Sequence, residues 1–112
     1  MPFNHSIFTQ EQTARVTAEG PIDFQSSISA MLALVADPEF NPDFQIIVDL
    51  RRIQYEPNTA DLSKVTDALA GLRSRFRGPI TLLVAEKELY MARLACIMAS
   101  AAGVKMTAKT EP

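Results

Sequence analysis

The side chains best suited to chemistry lie in one stretch, between positions 49 and 59. Its polar and ionisable members are Asp49, Arg51, Arg52, Tyr55, Glu56, Asn58 and Thr59. A carboxylate beside guanidinium groups can bind or orient a charged ligand, and a hydroxyl at a helix start can receive a phosphate. Catalysis would need a second acid or base, or a nucleophile, that converges on Asp49. None is evident, so we expect Asp49 and Arg51 to pair at a strand end, with Arg52 in solvent and no catalytic residue.

Other reactive side chains are isolated in the sequence. Cys96 is the single cysteine and lies among apolar residues, which predicts a buried thiol and no internal disulfide. His5 is the single histidine, so we expect no metal site and no cofactor. The net charge of −2, without a run of Lys or Arg, argues against nucleic acid as a partner.

The first residues, MPFNHSIFTQEQ, lack the basic region and apolar core of a signal peptide. No apolar run approaches the roughly 20 residues that span a bilayer. Together with the single cysteine, these features lead us to expect a cytoplasmic protein without a membrane span. The length of 112 residues is typical of one domain.

Hydrophobic periodicity and turn residues divide the chain into eight elements. The expected strands cover 3–8, 13–18, 44–50, 80–85 and 104–108, and the expected helices cover 24–36, 59–76 and 86–102. Asp23 is expected to cap the first helix. The apolar runs at 44–50 and 80–85 are continuous, which is typical of strands buried on both faces.

The element order β-β-α-β-α-β-α-β predicts a single-domain α/β fold. Strands separated by helices must run parallel through right-handed crossovers, so we expect a mixed sheet with parallel central strands and helices covering it. Ligands of such sheets bind beyond the carboxyl ends of the parallel strands. Those ends are expected at 49–58 and 86–90.

The third helix is more apolar than one contact face requires. We expect Tyr90, Leu94 and Ile97 to contribute to a second contact, which could be a subunit interface, a partner surface or the wall of an apolar pocket. The alternative is that the N-terminal strands or loops bury these residues.

Two segments, IIVDLRRIQYEPNTADL at 46–62 and ITLLVAEKELYMARLACIMASAAGVKM at 80–106, resemble the STAS domain family. The closer similarity is to its SpoIIAA-like branch, whose members carry a similar strand, a short acidic loop, and a helix like the one that holds Tyr90-Met-Ala-Arg93 here. The resemblance implies a STAS fold and a regulatory role like that of anti-sigma factor antagonists.

In regulatory STAS domains, the loop after this strand ends in Asp-Ser-Ser-Gly, and a serine there is phosphorylated. The resemblance places Thr59 at that serine, although Pro57 replaces the aspartate and Ala60 replaces the glycine. Thr59 is thus the phosphorylation candidate. The plainer interpretation is that Asn58 or Thr59 caps the second helix.

The expected function is that of a non-enzymatic regulatory or protein-interaction domain that forms a homodimer. The alternative is a carrier of a small apolar, lipid-like ligand in a pocket beside the third helix. The residues expected to bind a partner or ligand are Asp49, Arg51, Tyr55, Asn58, Thr59, Tyr90, Leu94 and Ile97.

Overall fold

A computed structural model describes residues 2–54 and 59–111, with the side chain of Thr59 outside this description. In this part of the chain, five strands form one sheet and three helices pack against it. The strands are β1 (Phe3–Phe8), β2 (Thr13–Pro21), β3 (Gln45–Gln54), β4 (Ile80–Leu83) and β5 (Met106–Lys109). The helices are α1 (Phe24–Ala36), α2 (Thr59–Gly71) and α3 (Leu89–Ala101). The predicted single mixed α/β sheet is confirmed.

The strands lie side by side in chain order. β1 pairs antiparallel with β2, and β2, β3, β4 and β5 pair parallel with one another. Each helix therefore connects adjacent parallel strands in the same direction along the sheet. Right-handed crossovers of this kind place all the helices on one face. The packing agrees, because α2 contacts both α1 and α3.

The helix-covered face of the sheet carries the core. In the pairing, Ala14 is level with Ile46 and Ile46 with Ile80, and all three are buried. α1 begins at Asp23, whose carboxylate accepts a hydrogen bond from the Ser26 amide at 2.7 Å, which confirms the predicted cap. No helix in the described residues has the length and apolar character needed to cross a membrane.

No helix among the described residues covers the opposite face of the sheet, and the predicted burial of β3 on both faces is wrong. Only Ile46 in β3 is fully buried, and Ile47 and Asp49 on the open face are partly exposed. The physical reason is the strand order, which follows the chain in one direction and places the helices on the other face. Leu83 of β4, which is level with Asp49 on this side, is nevertheless fully buried. Other members of the open face are Arg15, Thr17 and Thr81.

Several element boundaries also differ from the sequence prediction: β2 continues to Pro21, β4 ends at Leu83, α3 covers Leu89–Ala101 and β5 covers Met106–Lys109. The largest differences are in β3 and α2. β3 continues to Gln54, because a bulge between Thr17 and Glu19 of β2 lets the pairing resume at Arg52. α2 ends at Gly71 instead of position 76, and a short 3₁₀ turn, Arg73–Arg75, follows. Glycine is a poor helix former, which fits a helix end at this position.

Candidate functional site

The structure places the predicted site residues in two separate regions. Asp49 and Arg51 lie within β3, on the open face of the sheet, and not in the loop that follows the strand. Thr59 is the first residue of α2. Tyr55 and Asn58 lie outside the described residues, so their predicted roles stay predictions, as does phosphorylation of Thr59.

Asp49 is held by two guanidinium groups. Arg51 Nη2 donates to Asp49 Oδ2 at 2.7 Å, Arg51 Nε donates to Oδ1 at 3.0 Å, and Arg15 Nη2 from the adjacent strand lies 3.3 Å from Oδ2. The predicted Asp49–Arg51 pair is confirmed. The hydrogen bond from Arg51 lowers the pKa of the Asp49 carboxyl below its ordinary value, against the opposing effect of burial. A carboxylate held in this way is a poor general base, because its basicity is reduced and its lone pairs are occupied.

We expect Asp49→Asn to destabilise the fold by about 1 kcal/mol at pH 7, because only 16% of this side chain is exposed while both arginines are partly solvated. The lowered pKa means that the stabilisation is complete above the ordinary aspartate pKa of about 4 and is lost as pH falls through the lower pKa of the folded state. The difference between the variant and the parent should therefore shrink at acid pH. Urea denaturation of both proteins at pH 7 and at pH 3 measures this difference in the free energy of unfolding.

The matched control is Glu19→Gln. Glu19 pairs with Arg52 at 3.5 Å, and both side chains are largely in solvent, so we expect no measurable change in stability. If the two substitutions change the free energy of unfolding equally, the contacts around Asp49 stabilise the fold no more than an exposed ion pair does.

The three predicted residues of α3 do not form a pocket wall. Tyr90 and Ile97 are 80% and 67% exposed, and Leu94 is half-buried. The buried side of α3 instead carries Ala92, Cys96 and Ala99. Burial raises the pKa of the Cys96 thiol, which disfavours the reactive thiolate. Tyr90, Leu94 and Ile97 lie on a different element from Asp49 and Arg51, so the predicted residues that the structure describes do not form a single site.

A cavity of about 220 Å³ lies between the helix-covered face of the sheet and all three helices. Its walls are almost entirely apolar, and they include Leu34 of α1, Val65 of α2 and Ala95 of α3. The apolar lining residues are Phe3, Val16, Ile22, Ala30, Met31, Leu34, Ile46, Val48, Leu50, Ile53, Leu62, Val65, Leu69, Phe76, Ile80, Leu82, Val84, Met91, Ala92, Ala95 and Met106.

The polar side chains of the lining mark one end of the cavity. They belong to Ser27, Asp61 and Glu88, each of which is partly exposed and lies at the beginning of a different helix. Leu50 and Ile53, in the second half of β3, line the cavity as well. Together these residues place the polar rim at the carboxyl edge of the parallel strands, where ligands of open α/β sheets bind.

The sequence prediction missed this lining, although it contained a weak signal. Small residues stand at core-facing positions of two helices, at Ala30 in α1 and at Ala92 and Ala95 in α3. Small side chains on facing elements leave space between them, but from sequence alone they look the same as residues of a closely packed core.

The arrangement offers an apolar space for binding. Within residues 2–54 and 59–111, no group of three His, Cys, Asp or Glu side chains is placed to hold a metal ion. The apolar cavity, which is partly open to solvent and has a small polar rim, has the general form of a small-molecule site. Comparison with known proteins gives no relative: neither a protein-family model nor a curated protein sequence matches the chain.

Proposed function

We propose that this chain is a non-enzymatic binding domain that holds a small apolar molecule between its sheet and its helices. The observation that carries the proposal is the cavity of about 220 Å³ with an almost wholly apolar lining. Protein interiors are normally packed as closely as organic crystals, so a space of this size is unusual in a domain of 112 residues.

The energetic cost of an empty cavity supports the same proposal. At about 24 cal/mol per Å³, an enclosed space of this volume would cost about 5 kcal/mol of stability; this space is partly open to solvent, so its cost is lower. A ligand that fills the space with apolar atoms would recover part of this free energy.

The volume sets the size of the ligand. An engineered apolar cavity of about 150 Å³ takes up benzene, so this larger space suits a molecule with a few more carbon atoms. A single substituted ring or an alkyl chain of about eight carbons is of that size. 1-Octanol is a suitable probe, because its chain is apolar and its hydroxyl can lie at the polar rim.

The test is a calorimetric titration of the purified protein with 1-octanol, which we expect to saturate at one molecule per chain. Ala95→Leu puts an isobutyl group into the cavity and should weaken binding at least tenfold, by about 1.4 kcal/mol or more. Ala101→Leu adds the same atoms to an exposed position of the same helix and should leave the affinity unchanged.

Two results would count against the proposal. A parent protein that gives no saturable heat shows that the cavity does not take up ligand. An Ala95→Leu variant that binds as tightly as the parent shows that 1-octanol binds elsewhere. Native mass spectrometry of freshly purified protein gives an independent measurement, since a natural occupant would add its mass to the chain.

The finer assignment to a STAS-like, SpoIIAA-like domain belongs to the same proposal. Its support is the element order β-β-α-β-α-β-α-β, the parallel pairing of β2 to β5, and the two similar segments of sequence. On this assignment the domain is regulatory and cytoplasmic, and the ligand in the cavity would be the signal that it detects.

A second candidate function is protein binding or self-association through the outer side of α3. Tyr90 and Ile97 are large, exposed and seven positions apart, so they lie on the same side of the helix. Exposed aromatic and aliphatic residues in one patch are typical of an interface. Sedimentation velocity separates the two functions, because a monomer that binds 1-octanol fits the first and a dimer that does not bind it fits the second.

A further inference from the structure

The edge of the sheet formed by β1 lacks the features that normally keep other strands away. β1 is the last strand on its side, and in the described part of the chain its one neighbour is β2. Natural proteins protect such edges with short strands, lysines, prolines or bulges. The opposite edge strand, β5, has four residues and ends in Lys109. β1 has six residues, contains no Lys, Arg, Asp, Glu or Pro, and pairs with β2 without a bulge. Its outer edge is therefore open to another strand.

The backbone groups on this outer edge belong to three residues of β1. The Glu19 amide donates to the Pro2 carbonyl oxygen at 3.1 Å, so these two residues form a hydrogen-bonded pair of the antiparallel ladder. Hydrogen-bonded pairs alternate with non-hydrogen-bonded pairs in such a ladder, and the pairing of β1 with β2 continues without interruption. It follows that the outward N–H and C=O groups belong to alternate residues, Phe3, His5 and Ile7.

This pattern of outward groups is complementary to itself. In an antiparallel pairing of two copies about a twofold axis at His5, Phe3 lies opposite Ile7 of the partner subunit. His5 lies opposite His5 of the partner subunit. All the outward groups of both strands are then used, in about six hydrogen bonds. Opposing residues belong to the same face in this register, so one sheet continues through both copies with all the helices on one side.

The first helix adds a second layer to the same edge. α1 packs against β1, and its Ser29 and Ala33 line a groove of about 180 Å³ together with His5. None of the 13 residues of α1 is charged, although 21% of the chain is, and the large side chain of Leu32 is 51% exposed. Absence of charge beside exposed apolar surface is typical of the centre of an interface. The small side chains of Ser29 and Ala33 would let the two α1 helices approach each other across the axis.

We infer that two copies of this chain form a symmetric dimer in which β1 pairs with β1 and α1 packs against α1. The helix pair matters because a strand edge alone buries little surface compared with a stable dimer. This interface is distinct from the outer side of α3, since α3 packs on β5 at the other edge of the sheet. β3, which precedes residues 55–58 in the chain, is two strands away from the β1 edge. The dimer does not depend on a ligand in the cavity.

Two exposed side chains of β1 test both the interface and its register. In the proposed pairing, Asn4 lies opposite Ser6 of the partner subunit, and the twofold axis repeats this contact. Asn4→Glu with Ser6→Glu puts like charges opposite each other and should raise the dimer Kd at least tenfold, by about 1.4 kcal/mol or more. Asn4→Lys with Ser6→Glu puts opposite charges there and should leave the dimer at least as tight as the parent. Ser6 is level with Arg15 of its own chain, and because Ser6→Glu is common to both variants, their difference reports position 4 alone.

Sedimentation equilibrium of the full chain over a range of concentrations measures the dimer Kd, and circular dichroism checks that each variant is folded. The matched control is Ile97→Glu with Thr107→Glu. It adds the same charges as the first variant, at exposed positions of α3 and β5 that lie outside the proposed interface. The control should keep the dimer Kd of the parent protein.

Three results would overturn the inference. A parent protein that stays monomeric at about 1 mM, far above the Kd of a specific complex, forms no such dimer. If the two β1 variants have equal Kd values, whether tight or weak, Asn4 and Ser6 do not face each other across the dimer. If the control raises the Kd as much as Asn4→Glu with Ser6→Glu, the copies associate through another surface or respond to total charge. In each of these cases the proposed ligand site is unaffected, because titration with 1-octanol tests it separately.

Discussion

Gly78→Ala is expected to destabilise the fold by about 3 kcal/mol, because no space exists for a methyl group at this position. A Cβ atom built on Gly78 would lie 2.7 Å from the carbonyl carbon of Phe44 and 2.8 Å from the carbonyl oxygen of Asp43, with the Phe44 carbonyl oxygen closer still. All three are backbone atoms. They cannot move aside by a change of rotamer, as a flexible side chain would.

The surrounding hydrogen bonds hold both segments in place. The Gly78 amide donates to the Pro42 carbonyl oxygen at 3.2 Å, and the Arg77 amide donates to the same oxygen at 2.9 Å. The Phe44 amide donates to the Asn41 carbonyl oxygen at 2.9 Å. A shift that relieved the collision would break part of this network, so the cost of the methyl group cannot be avoided by a small adjustment.

Gly71→Ala is the matched control. Gly71 ends α2, and a Cβ atom there would have no neighbour within 4 Å. Alanine is the better helix former by about 1 kcal/mol, so this variant should be neutral or slightly more stable than the parent. Urea denaturation followed by circular dichroism compares the three proteins. Free energies of unfolding that agree within about 0.5 kcal/mol for Gly78→Ala and the parent would rule out the close approach.

Gly78 shows what local patterns can and cannot tell about the fold. The pair Gly78-Pro79 is typical of a helix stop, yet the helix already ends at Gly71. The glycine is required because two chain segments that are distant in sequence approach each other there. Hydrophobic periodicity placed every helix and strand, since each element must bury an apolar side. A close backbone approach depends on tertiary packing, which no local pattern contains.

The same limit applies to β3 and to the open face of the sheet. The apolar run predicted a strand that ends near Leu50, because Arg51 and Arg52 look like loop residues. The bulge in β2 brings Arg52 level with Glu19 and extends the pairing, so polar residues continue the strand. A continuous apolar run also suggested two covered faces. The strand order decides which faces are covered, and periodicity does not fix that order.

The candidate site was predicted in part. The Asp49–Arg51 pair follows from opposite charges two residues apart on a strand, whose side chains point to the same face. The cavity could be expected only as a general possibility beside the third helix. Its lining at Ala92 and Ala95 depends on how closely α3 approaches the sheet, while Tyr90 and Ile97 point into solvent. A cavity between apolar residues has no distinctive sequence pattern, because the same residues could also form a closely packed core.

Phe76 connects the end of α2 with the core. The sequence placed it in the helix by its spacing, but it follows the 3₁₀ turn and is only 4% exposed. Its ring packs edge-on against Phe40, with centroids 6.2 Å apart and planes at 62°. It also lines the cavity, so the same side chain supports the core and bounds the proposed ligand site.

Phe76→Ala is therefore expected to destabilise the fold by about 3–5 kcal/mol, through lost apolar burial, the lost ring contact and a larger cavity. Phe76→Leu keeps most of the volume and should cost about 1 kcal/mol, which gives a measurable value if the alanine variant unfolds. Phe8→Ala is the control, because Phe8 is 44% exposed on β1, and it should cost less than about 1 kcal/mol. Chemical denaturation ranks the variants. If Phe8→Ala and Phe76→Ala lower the free energy of unfolding equally, Phe76 does not stabilise the core more than an exposed residue does. Its position in the cavity lining would then not be held by core packing.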